Sequence, residues 1–440
     1  MQTTSSNSLR RVLGLAFGIA VVVGGTIGQG ILRTPGLVAQ GVPYANVMLM
    51  LWIAGGVIAL VDAMSTVELA ASIPLVGGPY AFARRAFGPV TGLAVGVTDW
   101  LGNVASIAYL AVVFAEYLHR LGLLTTVPLG VIAAAMPVLM ASIQWFGTRA
   151  AGTSQEIGSA VKSVVFMGLV AALLFSPRAA PVASDNVISP TLSILAVIVA
   201  IRAIYGTYSG WNAAVYFNEE VADPGQSVAR ATFSGIALIT VIYTLVVFAC
   251  LNVLSVPALA KSNLALADAA AEVFGPLADT VITVISLISL ATVINTMLMI
   301  FPRVLYAIGR DAGGVLGLAR VTENGTPWTA LGVTVIVSAL LASIGVYDIL
   351  LLLSTSLIAA VSVLINLAVI RMRLREPGLE RPWRMPLFPL PALFAMIVNA
   401  ALLVAFVYED PVTSFWGFAG LGALVVPIYL AIRFRERAAG

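Results

Sequence analysis

The chain has 440 residues, of which 60% are hydrophobic and only 10% are charged. Soluble globular domains carry roughly 25% charged residues, so this composition excludes a soluble protein and predicts a chain that crosses a membrane many times. The net charge of +3 is small, and the basic residues lie beside apolar segments, which favours a role in membrane orientation over nucleic-acid binding. One His and one Cys exclude an intrachain disulfide and a Cys/His metal site, and no cofactor is predicted.

Apolar segments follow one another along the chain, each near the roughly 20 residues that span a bilayer. The first follows Arg10 and Arg11, runs past signal-peptide length and lacks a clear cleavage site, so we interpret it as a retained helix. A short amphipathic piece with Arg84 and Arg85 is predicted to lie at the membrane surface between the second and third segments. The twelve candidate transmembrane helices are 17–39, 45–70, 90–118, 127–146, 156–175, 190–216, 231–255, 277–303, 329–346, 349–370, 388–407 and 414–434.

The basic residues are divided unevenly between the two sides that twelve spans would create. With the N-terminus inside, 17 of the 23 Lys and Arg residues fall in inner segments and three in outer segments. The other three, Arg33, Lys162 and Arg202, fall within spans. Under the positive-inside rule, this bias predicts a multi-pass protein of the cell membrane with both termini in the cytoplasm. We also expect Glu219 and Glu220, at the inner end of the sixth segment, to pair with inner arginines.

The first apolar segment contains a glycine-rich interruption, residues 24–30 (GGTIGQG), with about half of a membrane-length helix on each side. In hydrocarbon, non-helical backbone is tolerated only where it lines a cavity or is buried in protein. We therefore predict a broken helix whose backbone donors and acceptors form a ligand site near the bilayer midplane. The alternative is that these glycines serve only close helix packing.

A second interruption is predicted in the sixth segment, at residues 206–212 (GTYSGWN). It comes five spans after the first, so the two broken helices cross the membrane in opposite senses, as in an inverted-topology repeat. The predicted fold is an all-α polytopic membrane protein with a 5+5 inverted repeat and two further C-terminal helices. The predicted divisions are a cytoplasmic N-terminus (1–16), a ten-helix transport core (17–370), a basic cytoplasmic loop (371–387) and the last two helices with the C-terminus (388–440).

Four motifs along the chain resemble those of one transporter family. Residues 25–31 (GTIGQGI) are similar to its first-helix signature, and residues 77–80 (GGPY) and 303–311 (RVLYAIGRD) match its loop patterns. Residues 208–224, which begin YSGWN and end EEVADP, are similar to its sixth-helix signature. Spread over nearly the whole chain, these motifs resemble the amino acid–polyamine–organocation superfamily. The resemblance implies a LeuT-type fold and amino acid transport rather than an enzymatic activity.

The resemblance places the substrate at the two breaks. Amides at residues 28–30 would hold the substrate carboxylate, because a helix N-terminus presents free N–H groups and a positive dipole end. Carbonyls near Thr26, Gly206 and Ser209 would hold its ammonium. The full set of candidate substrate-binding residues is Thr26, Ile27, Gly28, Gln29, Gly30, Tyr205, Gly206, Tyr208, Ser209 and Gly210.

The sequence departs from the family pattern at Gly206. Many relatives carry an aromatic residue there that gates the site, and here that side chain is missing. Either Tyr205 or Tyr208 caps the substrate instead, or the pocket is larger. Both alternatives stay open, and with them the identity of the amino acid.

Lys162 is a charged residue inside the fifth predicted helix, where a charge by default marks function. The resemblance implies that its ammonium reaches the first break and occupies the place of a sodium ion found in sodium-coupled relatives. We interpret it as a coupling residue, either a fixed cation or a titrating proton carrier that links the first helix to transport. The alternative is a lysine that snorkels to the membrane surface.

Other charges near the spans have open roles. Arg202, one turn before the second break, either lines the outer vestibule or pairs with Glu116. Asp99 shares a polar helix face with Asn103 and Ser106, and either attracts a cationic substrate or belongs to a buried structural network.

Three further charges are assigned to the ends of spans. Asp62 and Glu68 of the second helix are predicted near its inner end, with a gating or structural role. Arg33, in the outer half of the first helix, either forms an outer-gate ion pair or anchors the helix at the surface.

The predicted function is secondary active transport of amino acids by alternating access, coupled to protons or to exchange of substrate. Sodium coupling is least favoured because Lys162 fills that ion's place. A neutral amino acid is the favoured substrate because no single intramembrane acid clearly faces the site. A cationic amino acid or polyamine is the alternative and depends on Asp99. The predicted partners are this small molecule, protons and the lipid bilayer, and the oligomeric state is left open.

Two other functional classes are less consistent with the sequence. A channel or a non-transporting sensor is disfavoured because no filter loop is visible. An enzyme is disfavoured because one His and scattered acids do not form a catalytic cluster. A G-x-x-x-x-G-K-[ST] nucleotide motif is also absent, as expected for a secondary transporter.

Overall fold

The structure is a computed structural model that describes residues 15–145, 148–176, 192–219, 224–275, 277–314, 317–323 and 325–439. In these ranges the chain forms helices joined by turns and short loops. The α-helices are α1 (Leu15–Thr26), α2 (Gln29–Gly41), α3 (Ala45–Ser72), α4 (Pro79–Phe87), α5 (Pro89–Arg120), α6 (Leu129–Trp145), α7 (Thr148–Leu174), α8 (Ile194–Tyr208), α9 (Pro224–Val253), α10 (Val256–Ala260), α11 (Ala265–Phe274), α12 (Leu277–Ile300), α13 (Pro302–Asp311), α14 (Trp328–Ser343), α15 (Tyr347–Arg375), α16 (Leu390–Glu409) and α17 (Pro411–Ala439).

Most of these helices match membrane dimensions. Among the described residues, eight spans are long and apolar enough to cross a bilayer, and α1 with α2 forms a ninth span that is bent. Shorter apolar helices at Leu129–Gln144, Trp328–Ser343 and Ser414–Pro427 occupy the positions of the fourth, ninth and twelfth predicted segments. The chain is therefore an all-helical, multi-pass membrane protein, as predicted. The count of twelve spans stays a prediction, because these three helices are shorter than a typical span.

The first predicted interruption is confirmed but is shorter than the predicted residues 24–30, because α1 continues to Thr26 and α2 begins at Gln29. α1 and α2 are separated by Ile27 and Gly28, which are not helical. The backbone of Gly28 is extended, with φ −139° and ψ −145°. The two half-helices meet at an angle of 43°. Glycine loses more conformational freedom in a helix than any other residue, so a run that holds several glycines is the weakest part of this span.

The second interruption is confirmed but is shorter than predicted. Gly206 and Thr207 are still helical, so the prediction that the break begins at residue 206 is wrong. The amide of Ser209 donates to the Gly206 carbonyl at 3.2 Å, and Gly210 follows with φ +109°. Glycine adopts this left-handed conformation at little cost, so Gly210 sets the position of the break. A 3-10 helix, Trp211–Phe217, then continues the chain.

The two interruptions lie against each other inside the protein. A Cβ on Gly210 would lie 2.6 Å from the carbonyl oxygen of Gly25, and a Cβ on Gly30 would lie 3.0 Å from the Cα of Thr207. The backbones of the two broken helices therefore touch on both sides of the first break. α3, α7, α9 and α12 pack around this contact.

Ion pairs join several helices at one end of the molecule. We refer to this end as the arginine-rich end; its described arginines are Arg84, Arg85, Arg310, Arg371, Arg373 and Arg381. Arg310 pairs with Glu219 at 3.0 Å, which confirms the prediction for that glutamate. Glu220 lies outside the described residues. Arg84 pairs with Asp311, so the short helix α4 is tied to the end of α13.

The two acids of α3 occupy different places. Glu68 pairs with Arg373 at 2.5 Å and with Arg381 at 3.3 Å, so it lies at the arginine-rich end as predicted. Asp62 comes six residues earlier, about 9 Å along the helix, and accepts a hydrogen bond from Tyr205 at 2.7 Å. The prediction that Asp62 lies near the inner end is therefore wrong, because its partner is on α8 close to the second break.

The predicted domain boundaries are only partly comparable with the helices. The predicted basic loop, 371–387, starts inside α15, which continues as a helix to Arg375. The other divisions of the chain stay predictions, as does the 5+5 repeat.

Candidate functional site at the two helix breaks

Side chains from other helices hold the carbonyl groups that the first break leaves without helical partners. Tyr243 of α9 donates its hydroxyl to the Thr26 carbonyl at 2.7 Å and lies 3.3 Å from the Thr207 carbonyl of α8. Ser289 of α12 donates to the Ile27 carbonyl at 3.0 Å. One tyrosine thus contacts both broken helices. Sequence reasoning missed Tyr243 and Ser289; the available signal was that a buried tyrosine hydroxyl needs a partner.

Lys162 binds the first break directly. Its ammonium donates to the Gly24 carbonyl at 2.8 Å and to the Ile27 carbonyl at 2.5 Å. The side chain is 1% exposed, so the alternative of a snorkelling lysine is wrong. Ser159, on the same face of α7, donates to the Ala20 carbonyl at 2.9 Å, so α7 follows the backbone of α1. The implied contact with the break is confirmed, whereas the coupling role of Lys162 stays a prediction.

The start of α2 offers donors on the other side of the break. Gly28 is its N-cap residue, and no side chain caps the helix there. The first amides of a helix have no intrahelical acceptor, and the helix dipole is positive at this end. A carboxylate is the kind of group that such a helix start binds. Gln29 and Gly30 form the first turn of α2, and the adjacent Thr26 and Ile27 are buried.

The packing alternative holds for some of the glycines but not for all. Gly24 packs on Gln155, Gly30 on Thr207, and Gly210 on the backbone of Gly25. At Gly30 and Gly210 backbone atoms leave no room for a Cβ, whatever the ligand, whereas at Gly24 the nearest atoms belong to side chains. At Gly206 a Cβ would meet no atom within 4 Å. This glycine is therefore not required by packing, and it marks open space beside the second break.

The two tyrosines near Gly206 are held by other helices. Tyr208 is 1% exposed and donates to the Trp52 carbonyl of α3 at 2.9 Å. Tyr205 donates to Asp62 at 2.7 Å and lies 3.1 Å from the Oδ1 of Asn399 on α16. A capping role for either ring stays a prediction, since each hydroxyl already has a partner away from the first break.

Asp99 belongs to a buried network. Its carboxylate accepts the Tyr216 hydroxyl at 2.8 Å and the Asn103 amide at 3.1 Å. Ser106, one turn further along α5, bonds the Ser354 hydroxyl at 2.5 Å. The predicted polar face is confirmed. Its partners satisfy one another, which favours the structural alternative over attraction of a cationic substrate.

The two arginines within spans lie against aromatic rings. The guanidinium of Arg202 lies 5.3 Å from the Phe406 ring centroid on α16. The guanidinium of Arg33 lies 5.2 Å from the Tyr347 ring centroid on α15. At these distances a cation and a ring attract each other. Both arginines thus link a broken helix to the helices beside it.

Comparison with known proteins gives these features a common explanation. The sequence profile of the amino acid permease family matches residues 13–427. The chain belongs to the amino acid permease family. This confirms the membership that the motifs implied, and it agrees with a transporter rather than an enzyme. The paired helix breaks therefore belong to a permease of amino acids.

Three relatives illustrate the similarity of this permease to characterised transporters. The serine/threonine exchanger SteT of Bacillus subtilis (strain 168) is 24% identical, with 98% of this chain and 99% of the relative covered. The b(0,+)-type amino acid transporter 1 of Mus musculus is 26% identical, with 92% of this chain and 84% of the relative covered. The large neutral amino acids transporter small subunit 2 of Homo sapiens is 28% identical, with 96% of this chain and 80% of the relative covered.

Proposed function

We propose that this permease exchanges neutral amino acids across the membrane, one molecule entering as another leaves. The single observation that supports the site is the meeting of the two breaks, where the uncapped start of α2 lies against α8. A zwitterion needs a donor set and an acceptor set within a few ångströms, and two broken helices supply both. The exchange mode is supported by SteT, which is named as an exchanger and aligns over almost its whole length.

The favoured substrate is neutral because of the contacts of Asp99. A cationic substrate needs a carboxylate that is free to approach it. Asp99 is 2% exposed, and its oxygens are engaged by Tyr216 and Asn103. The alternative of a cationic amino acid or polyamine carrier thus lacks the residue on which it depended.

The experiment is uptake of radiolabelled serine and leucine into liposomes that contain the purified permease. We expect uptake into vesicles preloaded with unlabelled amino acid and little uptake into empty vesicles, with or without a pH gradient. An exchanger needs a counter-substrate, whereas a symporter needs only the gradient. Uptake into empty vesicles driven by the pH gradient alone would show that the permease is a proton symporter rather than an exchanger.

We further propose that the arginine-rich end faces the cytoplasm and that this structure is closed there. The ion pairs Arg310–Glu219 and Arg84–Asp311 close it. Burial and the neighbouring Asp311 carboxylate raise the pKa of the Tyr80 phenol, which stays protonated and donates to Asp311 at 3.0 Å. These contacts would have to separate before a substrate could leave on that side.

We also propose that any assembly of this permease with another chain is non-covalent. The human relative is named as a subunit. Cys250 is the only cysteine in this sequence, and it is fully buried in α9. The surface therefore offers no cysteine for a disulfide to a partner.

Gly206 is expected to determine how large a substrate side chain the permease accepts. Replacing Gly206 by Phe fills space that no other atom occupies within 4 Å. Once the new ring fills this space, forcing the large side chain of leucine beside it costs about 1–3 kcal/mol. Leucine uptake should therefore fall about tenfold relative to serine uptake. The measurement is the ratio of the two exchange rates.

Gly420→Phe is the matched control for Gly206→Phe. Gly420 is also exposed and helical, and its Cβ position is equally open, but it lies on α17. The control should leave the leucine-to-serine ratio unchanged. An unchanged ratio in Gly206→Phe itself would show that this position does not line the substrate path.

A further inference from the structure

A buried polar cluster lies between four helices, outside the contacts at the first break. We refer to it as the Asp62 cluster; its members are Asp62 and Ser65 of α3, Tyr205 of α8, Asn366 of α15 and Asn399 of α16. A carboxyl group within a membrane span is costly to keep, so it marks a functional site by default. This cluster joins the helix of the second break to α15 and α16.

The two asparagines occupy one oxygen of the carboxyl group. Asp62 Oδ1 accepts the amide of Asn366 at 3.0 Å and that of Asn399 at 3.2 Å. Asn366 donates its second amide hydrogen to the Ser362 carbonyl at 2.9 Å and accepts the Ser65 hydroxyl on its oxygen at 2.6 Å. Asn399 donates its second amide hydrogen to the Ala395 carbonyl at 2.9 Å. These second contacts fix the orientation of both amides, so each directs nitrogen toward Asp62. The facing groups on α15 and α16 are thus uncharged.

The other oxygen of the carboxyl group shares a single hydroxyl with an asparagine. The Tyr205 oxygen lies 2.7 Å from Asp62 Oδ2 and 3.1 Å from Asn399 Oδ1. A phenol has one hydrogen, so it donates fully to only one of these two acceptors. With Asp62 ionised, one acceptor in a buried site is left without a full hydrogen bond, which costs about 1–3 kcal/mol.

One additional proton satisfies all three groups. A hydrogen on Asp62 Oδ2 donates to the Tyr205 oxygen, and the Tyr205 hydroxyl then donates to Asn399 Oδ1. Every donor and acceptor along this line has a partner, at the distances observed. We propose that Asp62 is a proton-binding site of this permease and that Tyr205 relays its protonation state to Asn399.

The charges near the cluster are directed elsewhere. Arg202, one turn before the tyrosine on α8, has its guanidinium over the Phe406 ring. Glu68, further along α3, is paired with Arg373 at the arginine-rich end. Tyr243 of the adjoining α9 donates to the first break. Within the described contacts, the carboxyl group of the cluster has hydroxyl and amide partners and no cationic one, so a proton is the cation that balances it.

Proton binding would change how α8 is attached. In the protonated state the end of α8 is linked to α16 through the hydroxyl of Tyr205 and the amide of Asn399. When Asp62 loses the proton, the hydroxyl turns to the carboxylate and the link to Asn399 weakens. Because Tyr205 lies just before the second break, the site ties proton occupancy to the position of α8 beside the substrate.

Infrared spectroscopy of the purified permease tests this proposal without any substrate. Spectra at neutral pH are compared between protein with ordinary aspartate and protein with aspartate labelled by carbon-13 in its side-chain carboxyl. We expect a carbonyl stretching band of a protonated carboxylic acid that shifts with the label and is lost in Asp62→Asn. A failure of amino acid exchange would not affect this result, so the two proposals fail separately.

Asp99→Asn is the matched control. Asp99 is equally buried, but both of its oxygens share the one hydroxyl of Tyr216 and no second acceptor competes for it. The band that depends on Asp62 should therefore persist in Asp99→Asn. The proposal is overturned by absence of the band from the unmodified protein, or by its persistence in Asp62→Asn.

Tyr205→Phe keeps the test decisive should Asp62→Asn fail to fold. This variant leaves the carboxyl group in place and removes the oxygen that accepts its hydrogen. The acid band should then remain and shift to higher frequency, because the acid loses a hydrogen-bond partner. A band at unchanged frequency in Tyr205→Phe contradicts the relay from Asp62 through Tyr205.

Discussion

Replacing Lys162 by Met is expected to reduce amino acid exchange by at least about tenfold, since each unpaired buried polar group costs about 1–3 kcal/mol and 1.4 kcal/mol is a factor of ten. Methionine has nearly the same length but no donor. The Gly24 carbonyl would lose its lysine partner, and the Ile27 carbonyl would keep only Ser289. The first break would then be held less firmly, and the charge beside it would be gone. Exchange in reconstituted vesicles measures the loss.

Lys261→Met is the matched control, because Lys261 is exposed on the surface and removal of its charge should leave exchange unchanged. The melting temperature of each variant separates lost transport from lost folding. The pH profile adds a readout that packing alone would not move, since a titrating Lys162 predicts a profile that Lys162→Met lacks. Equal rates and equal pH profiles for Lys162→Met and the unmodified permease would exclude the coupling role.

Replacing Gly210 by Ala is expected to lower the melting temperature and to abolish exchange. The position has φ +109°, and the left-handed region costs an L-residue about 1–2 kcal/mol. The new Cβ would also lie 2.6 Å from the Gly25 carbonyl oxygen, a backbone atom that cannot turn aside as a side chain does. Overpacking of this kind costs about 1–3 kcal/mol more. The contact between the two broken helices would have to open.

Gly168→Ala distinguishes this effect from a general sensitivity to glycine replacement. Gly168 lies within α7, and its Cβ position has no atom within 4 Å. Alanine is the better helix former by about 0.5–1 kcal/mol, so this variant should be as stable as the unmodified permease or slightly more so. If Gly210→Ala melted and transported like Gly168→Ala, the close approach of the two breaks would not be needed for function.

The two breaks show how much of the structure can be predicted from local sequence. The first was predictable because glycines concentrated in an apolar span weaken the helix wherever the rest of the chain lies. The second was predicted in the right place but began too early, at Gly206 rather than at Ser209 and Gly210. A glycine inside a helix is tolerated, whereas a left-handed φ ends it, and composition alone does not distinguish the two.

The sequence by itself determined that this protein spans a membrane, belongs to a permease family and carries two broken helices, since these follow from composition, spacing and short motifs. Only the tertiary structure decided what each polar group binds. The sequence predicts Asp62 near the inner end of its helix, whereas its partner, Tyr205, lies beside the second break and 143 residues away along the chain. Tyr243 and Ser289 were not recognised for the same reason. Hydrogen bonds inside a membrane protein join helices that are distant in sequence, and only their packing brings each donor to its acceptor.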